Sequence, residues 1–226
     1  MNPSAKRLLL IDDHPIMRHG LAQLICAEPD LTVCEEAGNA QEGLGAVQKH
    51  QPDLVVADLT LPDKHGLEFI KDVQAMHPGT AILVLSMHDE SLYAERVLRA
   101  GARGYLMKET AADNLIRAVR RILDGGIFLS DRMSSVMLEQ LSGQRKQAST
   151  TPLEKLTDRE LEVLQLIGSG RGTRFIADQL HVSVRTIDAH RAHIKEKLQL
   201  EDGNALVRYA VRWMESQNND RQIAPP

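Results

Sequence analysis

Leu8-Leu9-Leu10-Ile11-Asp12-Asp13 and Leu54-Val55-Val56-Ala57-Asp58 decide the fold. Each is a run of four apolar residues that ends in a carboxylate. A strand with no polar face is covered on both sides, as parallel strands under helices must be. Outward from these two runs, β-type segments are read at 6–11, 31–36, 53–57, 81–85 and 103–106. Helical periodicity occupies the intervals at 15–27, 40–50, 66–77 and 90–100, and again at 112–125 after the last strand. Strict alternation predicts an α/β doubly wound (βα)5 unit around a five-stranded parallel sheet.

The full chain has 226 residues, enough for one or two domains. It is 42% hydrophobic and 26% charged, the proportions of a soluble globular protein. Aromatics make up only 3%, so the core must come from Leu, Ile, Val, Ala and Met. No apolar run approaches the ~20 residues of a membrane span, and a secretory signal is not expected. Cys26 and Cys34 have neither metal-ligand spacing nor a disulfide framework, and both are read as buried thiols of a cytoplasmic protein.

Charge is unevenly spread. The first 130 residues hold 13 Lys and Arg against 18 Asp and Glu, whereas the last 76 hold 11 of each. Within 171–197, six basic residues face three acidic ones, a local excess of +3. An acidic chemical module joined to a module that meets a polyanion is the implied organisation. A helix capped by Ser130 runs through Met133, Met137 and Leu141, and the polar stretch 143–152 reads as a linker. Beyond it, Thr157-Asp158-Arg159-Glu160 has the form of a capping box. Gly168-Ser169-Gly170 stops that helix. Further helices are read at 173–180, from a Ser183 cap to about 200, and from about 204 to 216. The expected divisions are 1–128, a linker helix and linker over 129–154, a four-helix helix-turn-helix domain over 155–216, and a disordered tail over 217–226.

Ligands of an open α/β sheet bind beyond the carboxyl ends of its strands. Asp12, Asp13, Asp58, Ser86 and Lys108 all fall there. Singly, each reads equally well as a cap or a solvated loop charge. Together, three carboxylates suit Mg²⁺, and a hydroxyl and an ammonium complete a site for a phosphoryl group. Asp58 would attack, the metal would neutralise charge, and Lys108 and Ser86 would hold the transferred oxygens.

Leu10-Ile11-Asp12-Asp13-His14-Pro15, Asp58-Leu59-Thr60-Leu61-Pro62 with Gly66, Leu85-Ser86-Met87-His88-Asp89 and Gly104-Tyr105-Leu106-Met107-Lys108 resemble a receiver domain of bacterial response regulators. More narrowly, the chain looks like the NarL/FixJ type, in which a flavodoxin-like receiver continues into a LuxR-type helix-turn-helix. The resemblance runs from Arg7 to about Trp213. It implies that Asp58 is the phospho-acceptor, phosphorylated by a sensor histidine kinase. Asp12, Asp13 and the backbone carbonyl of Thr60 would join Asp58 around Mg²⁺, and Ser86, Tyr105 and Lys108 would sense the phosphoryl group. An aspartyl-phosphate phosphohydrolase is the enzymatic alternative, but it needs a second Asp two residues on, where this chain has Thr60. A phosphoryl-accepting protein rather than a turnover enzyme is expected.

Along 183–199, Ile187, His190, Ile194 and Leu198 form an inward stripe, and Arg185, Asp188, Ala189, Ala192 and Lys195 an outward one. Small outward residues let a helix sit deep in a major groove, and flanking Arg and Lys hold phosphates. The LuxR-type likeness adds Leu156–Leu164 as a block, Ile176-Ala177, Val182–Ile187, Lys197-Leu198 and Leu206–Ala210. The candidate DNA contacts are Arg174, Ser183, Arg185, Thr186, Asp188, Ala189, His190, Arg191, Ala192 and Lys195. Phe175 departs from the polar residue usual in the family, and Asp188 replaces a basic or polar reader. The last helix shows Leu206, Val207, Ala210, Val211 and Met214, a stripe read as a dimer surface that implies inverted DNA half-sites. A promoter-binding transcription regulator follows, with RNA polymerase a further candidate partner. The rival is a protein-interaction module with a silent receiver or a vestigial DNA-binding domain.

Overall fold

The computed structural model describes residues 5–141, 152–180 and 182–219. They form two compact units, Met1–Gln144 and Arg145–Pro226. In the first, β1 (Lys6–Ile11), β2 (Leu31–Ala37), β3 (Leu54–Asp58), β4 (Ala81–Ser86) and β5 (Gly104–Met107) make one parallel sheet in the order β2-β1-β3-β4-β5. The helices between them are α1 (Pro15–Cys26), α2 (Ala40–His50), α3 (Gly66–Met76) and α4 (Glu90–Ala100), followed by α5 (Ala111–Leu123). The strand order reverses at β1, so the crevice between the ends of β1 and β3 is the topological switch point.

The apolar runs behave as parallel strands should. Leu8, Leu10, Leu54, Val56, Leu83 and Leu85 are buried against Leu21 and Ile25 of α1 and Leu115, Val119 and Ile122 of α5. Leu9, Val55 and Val84 face the other way and are equally buried. β3 and β4 each extend one residue beyond the expected end, so Asp58 and Ser86 belong to strands rather than loops. A 3₁₀ turn over Lys108–Thr110 precedes α5, which begins one residue earlier and ends two residues sooner than its periodicity suggests.

Gly66 answers to a close approach. Its N–H donates to the Leu59 carbonyl at 2.9 Å, and a Cβ there would lie 2.5 Å from that oxygen. The loop that carries Thr60 is therefore folded back on itself, with Thr60 bridged to His65. The outer edge of β5 is covered by the chain that follows α5. Tyr105 N–H donates to the Phe128 carbonyl at 2.9 Å, and Phe128 N–H donates to the Arg103 carbonyl at 3.0 Å. α6 (Asp131–Leu141) starts there and packs on α4, so it belongs to the first unit. Ser130 Oγ accepts from Met133 N–H at 3.1 Å, as a cap should, and Ser130 N–H donates to Glu90 Oε1 at 2.9 Å.

The cysteines are not buried. Cys26 is exposed and Cys34 half-buried. Cys26 lies one residue past Ile25, about 100° around α1 from the face that enters the core. Cys34 sits mid-way along β2, an edge strand whose central residues are half-covered.

The second unit contains α7 (Asp158–Gly168), α8 (Thr173–Gln179), α9 (Val184–Lys197) and α10 (Gly203–Asn219). The capping box is complete: Thr157 N–H donates to Glu160 Oε2 at 2.8 Å, and Glu160 N–H donates to Thr157 Oγ1 at 3.3 Å. Leu161, Leu164, Ile167, Ile176, Ile187, Ile194, Leu206 and Ala210 are buried. Two residues of the expected dimer stripe, Leu206 and Ala210, are thus core residues of their own domain. So small a bundle needs the whole inward stripe of its last helix, Leu206, Ala210 and Trp213 at helical spacing, while Val207 is exposed on the shoulder. Met214 also turns inward, toward Gly168 of α7. α10 continues three residues beyond the expected end, to Asn219. The linker stretch 143–151 and the tail 220–226 lie outside the described residues, as does His181 in the expected turn.

Candidate functional sites

At the switch point the ends of β1, β3 and β5 bring three groups into direct contact. Lys108 Nζ lies 2.6 Å from Asp12 Oδ2 and 2.8 Å from Asp58 Oδ2, with all three side chains buried. Asp58 Oδ1 accepts from Thr60 N–H at 3.1 Å. Asp12 Oδ1 accepts from His14 N–H at 2.8 Å, and His14 Nδ1 lies 2.6 Å from Asp13 Oδ1. Burial pushes the Asp58 carboxyl above its usual range and Asp12 adds to that push; Lys108 and the Thr60 N–H oppose it without cancelling it. Burial works against the Lys108 charge, but Asp58 and Asp12 hold its pKa above the ordinary lysine value. The ammonium is therefore a fixed positive charge inside the protein.

Ligand atoms of Asp12, Asp13, His14 and Asp58 lie within 4.8 Å of one another. The carboxylates are hard oxygen donors, the set a divalent cation such as Mg²⁺ takes. Asp12 Oδ2 is buried and, despite its ion pair with Lys108, has no hydrogen bond of good geometry. It is an acceptor with capacity to spare, and the donor set fits the metal.

Around this cluster runs a chain of hydrogen bonds. Ser86 Oγ accepts from His88 N–H at 3.0 Å, and the His88 carbonyl accepts from Tyr105 OH at 2.7 Å. Burial holds the Tyr105 hydroxyl well above its ordinary pKa, so it remains a neutral donor. His88 also places Nε2 3.0 Å from Thr60 Oγ1, across the mouth of the site. The structure thus brings Asp12, Asp13, Asp58, Ser86 and Lys108 to one end of the sheet, as the strand-end reading expects, and His88 links to them Thr60 and Tyr105, which the family resemblance added. His88 is the residue that reading undervalued. Residue identity does not mark it, because it meets the hydroxyls of Ser86 and Tyr105 through its own backbone N–H and carbonyl, and only its ring contact with Thr60 uses the side chain.

In the second unit, Ser183 Oγ caps α9 by accepting from Thr186 N–H at 3.1 Å. Arg185, Thr186, Asp188, Ala189 and Ala192 are exposed, and Ile187, Ile194 and Leu198 are buried, so the two faces fall as the spacing predicts. His190, Arg191 and Lys195 are half-buried at the boundary. Burial and the nearby Arg159 lower the His190 pKa, which favours a neutral ring. On α8, Arg174 is exposed, and Phe175 stays 48% exposed with the Arg171 guanidinium 4.7 Å above its ring.

The response regulator receiver domain family matches residues 8–120, and the luxR family of bacterial regulatory proteins matches residues 154–210. The chain is a response regulator with a LuxR-type DNA-binding domain. Among its relatives is the oxygen regulatory protein NreC of Staphylococcus carnosus (strain TM300), 35% identical over 210 residues. That match covers 91% of this chain and 97% of NreC. The transcriptional regulatory protein DegU of Brevibacillus brevis is 31% identical over 225 residues, 94% of this chain and 95% of DegU. A structure of the Salmonella typhimurium RcsB response regulator, concerned with conformational dynamism for DNA interaction, superposes with a TM-score of 0.72. It is 25% identical and the match covers 92% of this chain and 98% of that one. The response regulator is thus a two-component transcription regulator, its receiver in the first unit and its helix-turn-helix in the second. No helix among its described residues is long and apolar enough to cross a membrane.

Proposed function

We propose that Asp58 accepts a phosphoryl group from a sensor histidine kinase, and that the modified receiver controls promoter binding through α9. The observation that carries this reading is the buried Asp12–Lys108–Asp58 contact at the switch point. Mg²⁺, held by Asp12, Asp13, Asp58 and the Thr60 carbonyl, supplies charge neutralisation for the incoming phosphoryl group. Asp58 attacks phosphorus, and the kinase's histidine nitrogen leaves. Lys108 exchanges part of its contact with Asp58 for a phosphoryl oxygen, and Ser86 donates to another. That draws Ser86 Oγ away from His88 N–H and loads the chain His88–Tyr105–Phe128, which ends where α6 begins. Thr60 stands where a phosphohydrolase needs its acid, so the phosphoryl group persists long enough to signal.

The exposed face of α9 enters the major groove, with Arg185, Thr186, Asp188, Ala189 and Ala192 toward base edges and Arg174, Ser183, Arg191 and Lys195 toward phosphates. His190 supports the helix from its boundary position. The active form is a cytoplasmic homodimer on inverted half-sites, with Val207 and Val211 of α10 left to the partner copy and RNA polymerase a further contact. Genome-wide footprinting with and without a phosphoryl donor tests the proposal. Protected sites that appear or strengthen with the donor are expected, and none under either condition would refute it.

A further inference from the structure

Arg18 belongs to no motif quoted above, yet it holds the loop that carries Asp12 and Asp13. It lies one turn into α1, and its side chain reaches back toward the end of β1. Nη1 donates to the backbone carbonyl of Asp12 at 2.5 Å, and Nε donates to Glu36 Oε2 near the end of β2 at 3.1 Å. The Arg18 N–H donates to the His14 carbonyl at 3.1 Å. One residue therefore grips the loop at both ends and ties it to a neighbouring strand. The loop is also held by Asp12 N–H to the Ala37 carbonyl at 3.2 Å, by His14 N–H and ring against the Asp12 and Asp13 carboxylates, and by Lys108 on Asp12 Oδ2. Among these described contacts Arg18 alone meets the Asp12 carbonyl. The Arg18 side chain is only 20% exposed, so its geometry is set by packing as well as by its two acceptors.

We infer that Arg18 is a positioning residue for the divalent-cation site, orienting Asp12 and Asp13 by clamping the backbone between them and the sheet. The inference rests on the metal reading of the carboxylate cluster. Its sign separates orientation from charge. A cation beside a cation site opposes metal binding through Coulomb repulsion, so charge alone makes removal of Arg18 tighten the metal. Loss of orientation makes removal weaken it, and partners that orient ligands carry roughly 10- to 100-fold in affinity. A planar guanidinium spans the Asp12 carbonyl and Glu36 together, which a single ammonium does not.

Calorimetric titration of Mg²⁺ into the full-length wild type, Arg18→Ala and Arg18→Lys tests this, with circular dichroism confirming the fold. Arg18→Ala should bind Mg²⁺ about tenfold more weakly. Arg18→Lys should recover only part of the loss, although it keeps the charge. Phosphoryl uptake from acetyl phosphate by Arg18→Ala should become half-maximal at correspondingly higher Mg²⁺ and rise as Mg²⁺ is added. Should Arg18→Ala fail to fold, Glu36→Gln frees the other end of the clamp and should show a smaller loss in the same direction. Unchanged or tighter Mg²⁺ binding by the folded variants overturns the inference while leaving the metal reading intact. A wild type that binds no Mg²⁺ overturns both.

Discussion

Gly168→Ala is a substitution that helix propensity alone predicts to be stabilising, because alanine is better than glycine inside a helix by ~1 kcal/mol. The structure predicts the opposite. Gly168 is the last residue of α7, where α10 crosses. A Cβ at this position would lie 2.6 Å from the Ala210 carbonyl oxygen, 2.6 Å from Met214 Cγ and 3.0 Å from the Ala210 carbonyl carbon. Met214 is flexible and can swing aside; the Ala210 backbone cannot. Ordinary contact requires α7 and α10 to part by about 0.8 Å, which loosens Leu164 and Ile167 against Leu206 and Ala210. Overpacking of this kind costs ~1–3 kcal/mol, and contact with backbone puts the cost near the upper end. Set against the propensity gain, a net loss of ~2 kcal/mol remains. Trp213 is the single tryptophan of the chain and is buried on α10, so its fluorescence reports the unfolding of this unit alone. With a urea slope of ~1 kcal/mol/M for so small a domain, the Trp213 midpoint should fall by about 2 M. A midpoint unchanged or raised would refute the close packing of α7 on α10.

Glu160 links α7 to α9 as well as capping α7, since its Oε2 accepts from Lys197 Nζ at 2.6 Å. Burial alone raises its pKa, but Lys197 and the Thr157 donors outweigh that and hold it below the usual glutamate value. Its stabilisation is therefore complete above about pH 4.5 and is lost as pH falls through the lower folded value, so Glu160→Gln should cost about 1–2 kcal/mol at pH 7 and flatten the acid limb of the Trp213 midpoint. Arg191→Ala should weaken binding to promoter DNA and reduce the slope of log affinity against log salt by about one, the loss of one phosphate contact. Asp188→Ala should instead strengthen non-specific binding, measured on random-sequence duplex, because it removes a carboxylate from the outward face. Lys108→Ala should still take up phosphate on Asp58 but show the same footprint with and without the donor, since the ammonium that meets the phosphoryl oxygen is gone.

Much of the receiver was readable because its signals are local. Four-residue apolar runs give strands buried on both faces, and the residue after each run falls at the strand end by necessity, which is why Asp12, Asp58, Ser86 and Lys108 converge. Arg18 and His88 were not readable. Arg18 acts through the Asp12 carbonyl as well as the Glu36 carboxylate, and His88 meets Ser86 and Tyr105 through its own N–H and carbonyl; main-chain groups leave no trace in residue identity. The cysteines misled for a related reason: Cys26 sits beside an inward residue but points elsewhere around the helix. On α10 the apolar stripe was real, yet periodicity alone does not say whether a stripe faces its own domain or another copy. The depth of the small bundle decided that for Leu206 and Ala210.

The central claim is that Asp58 receives the phosphoryl group with a divalent cation present. Intact-mass spectrometry of the full-length protein after incubation with acetyl phosphate tests it directly, for the wild type and Asp58→Asn, with Mg²⁺ and with a chelator. A single added phosphoryl mass on the wild type with Mg²⁺, absent with chelator and absent in Asp58→Asn, is the predicted result. An equal mass increase on Asp58→Asn, or uptake that persists without the metal, would contradict it.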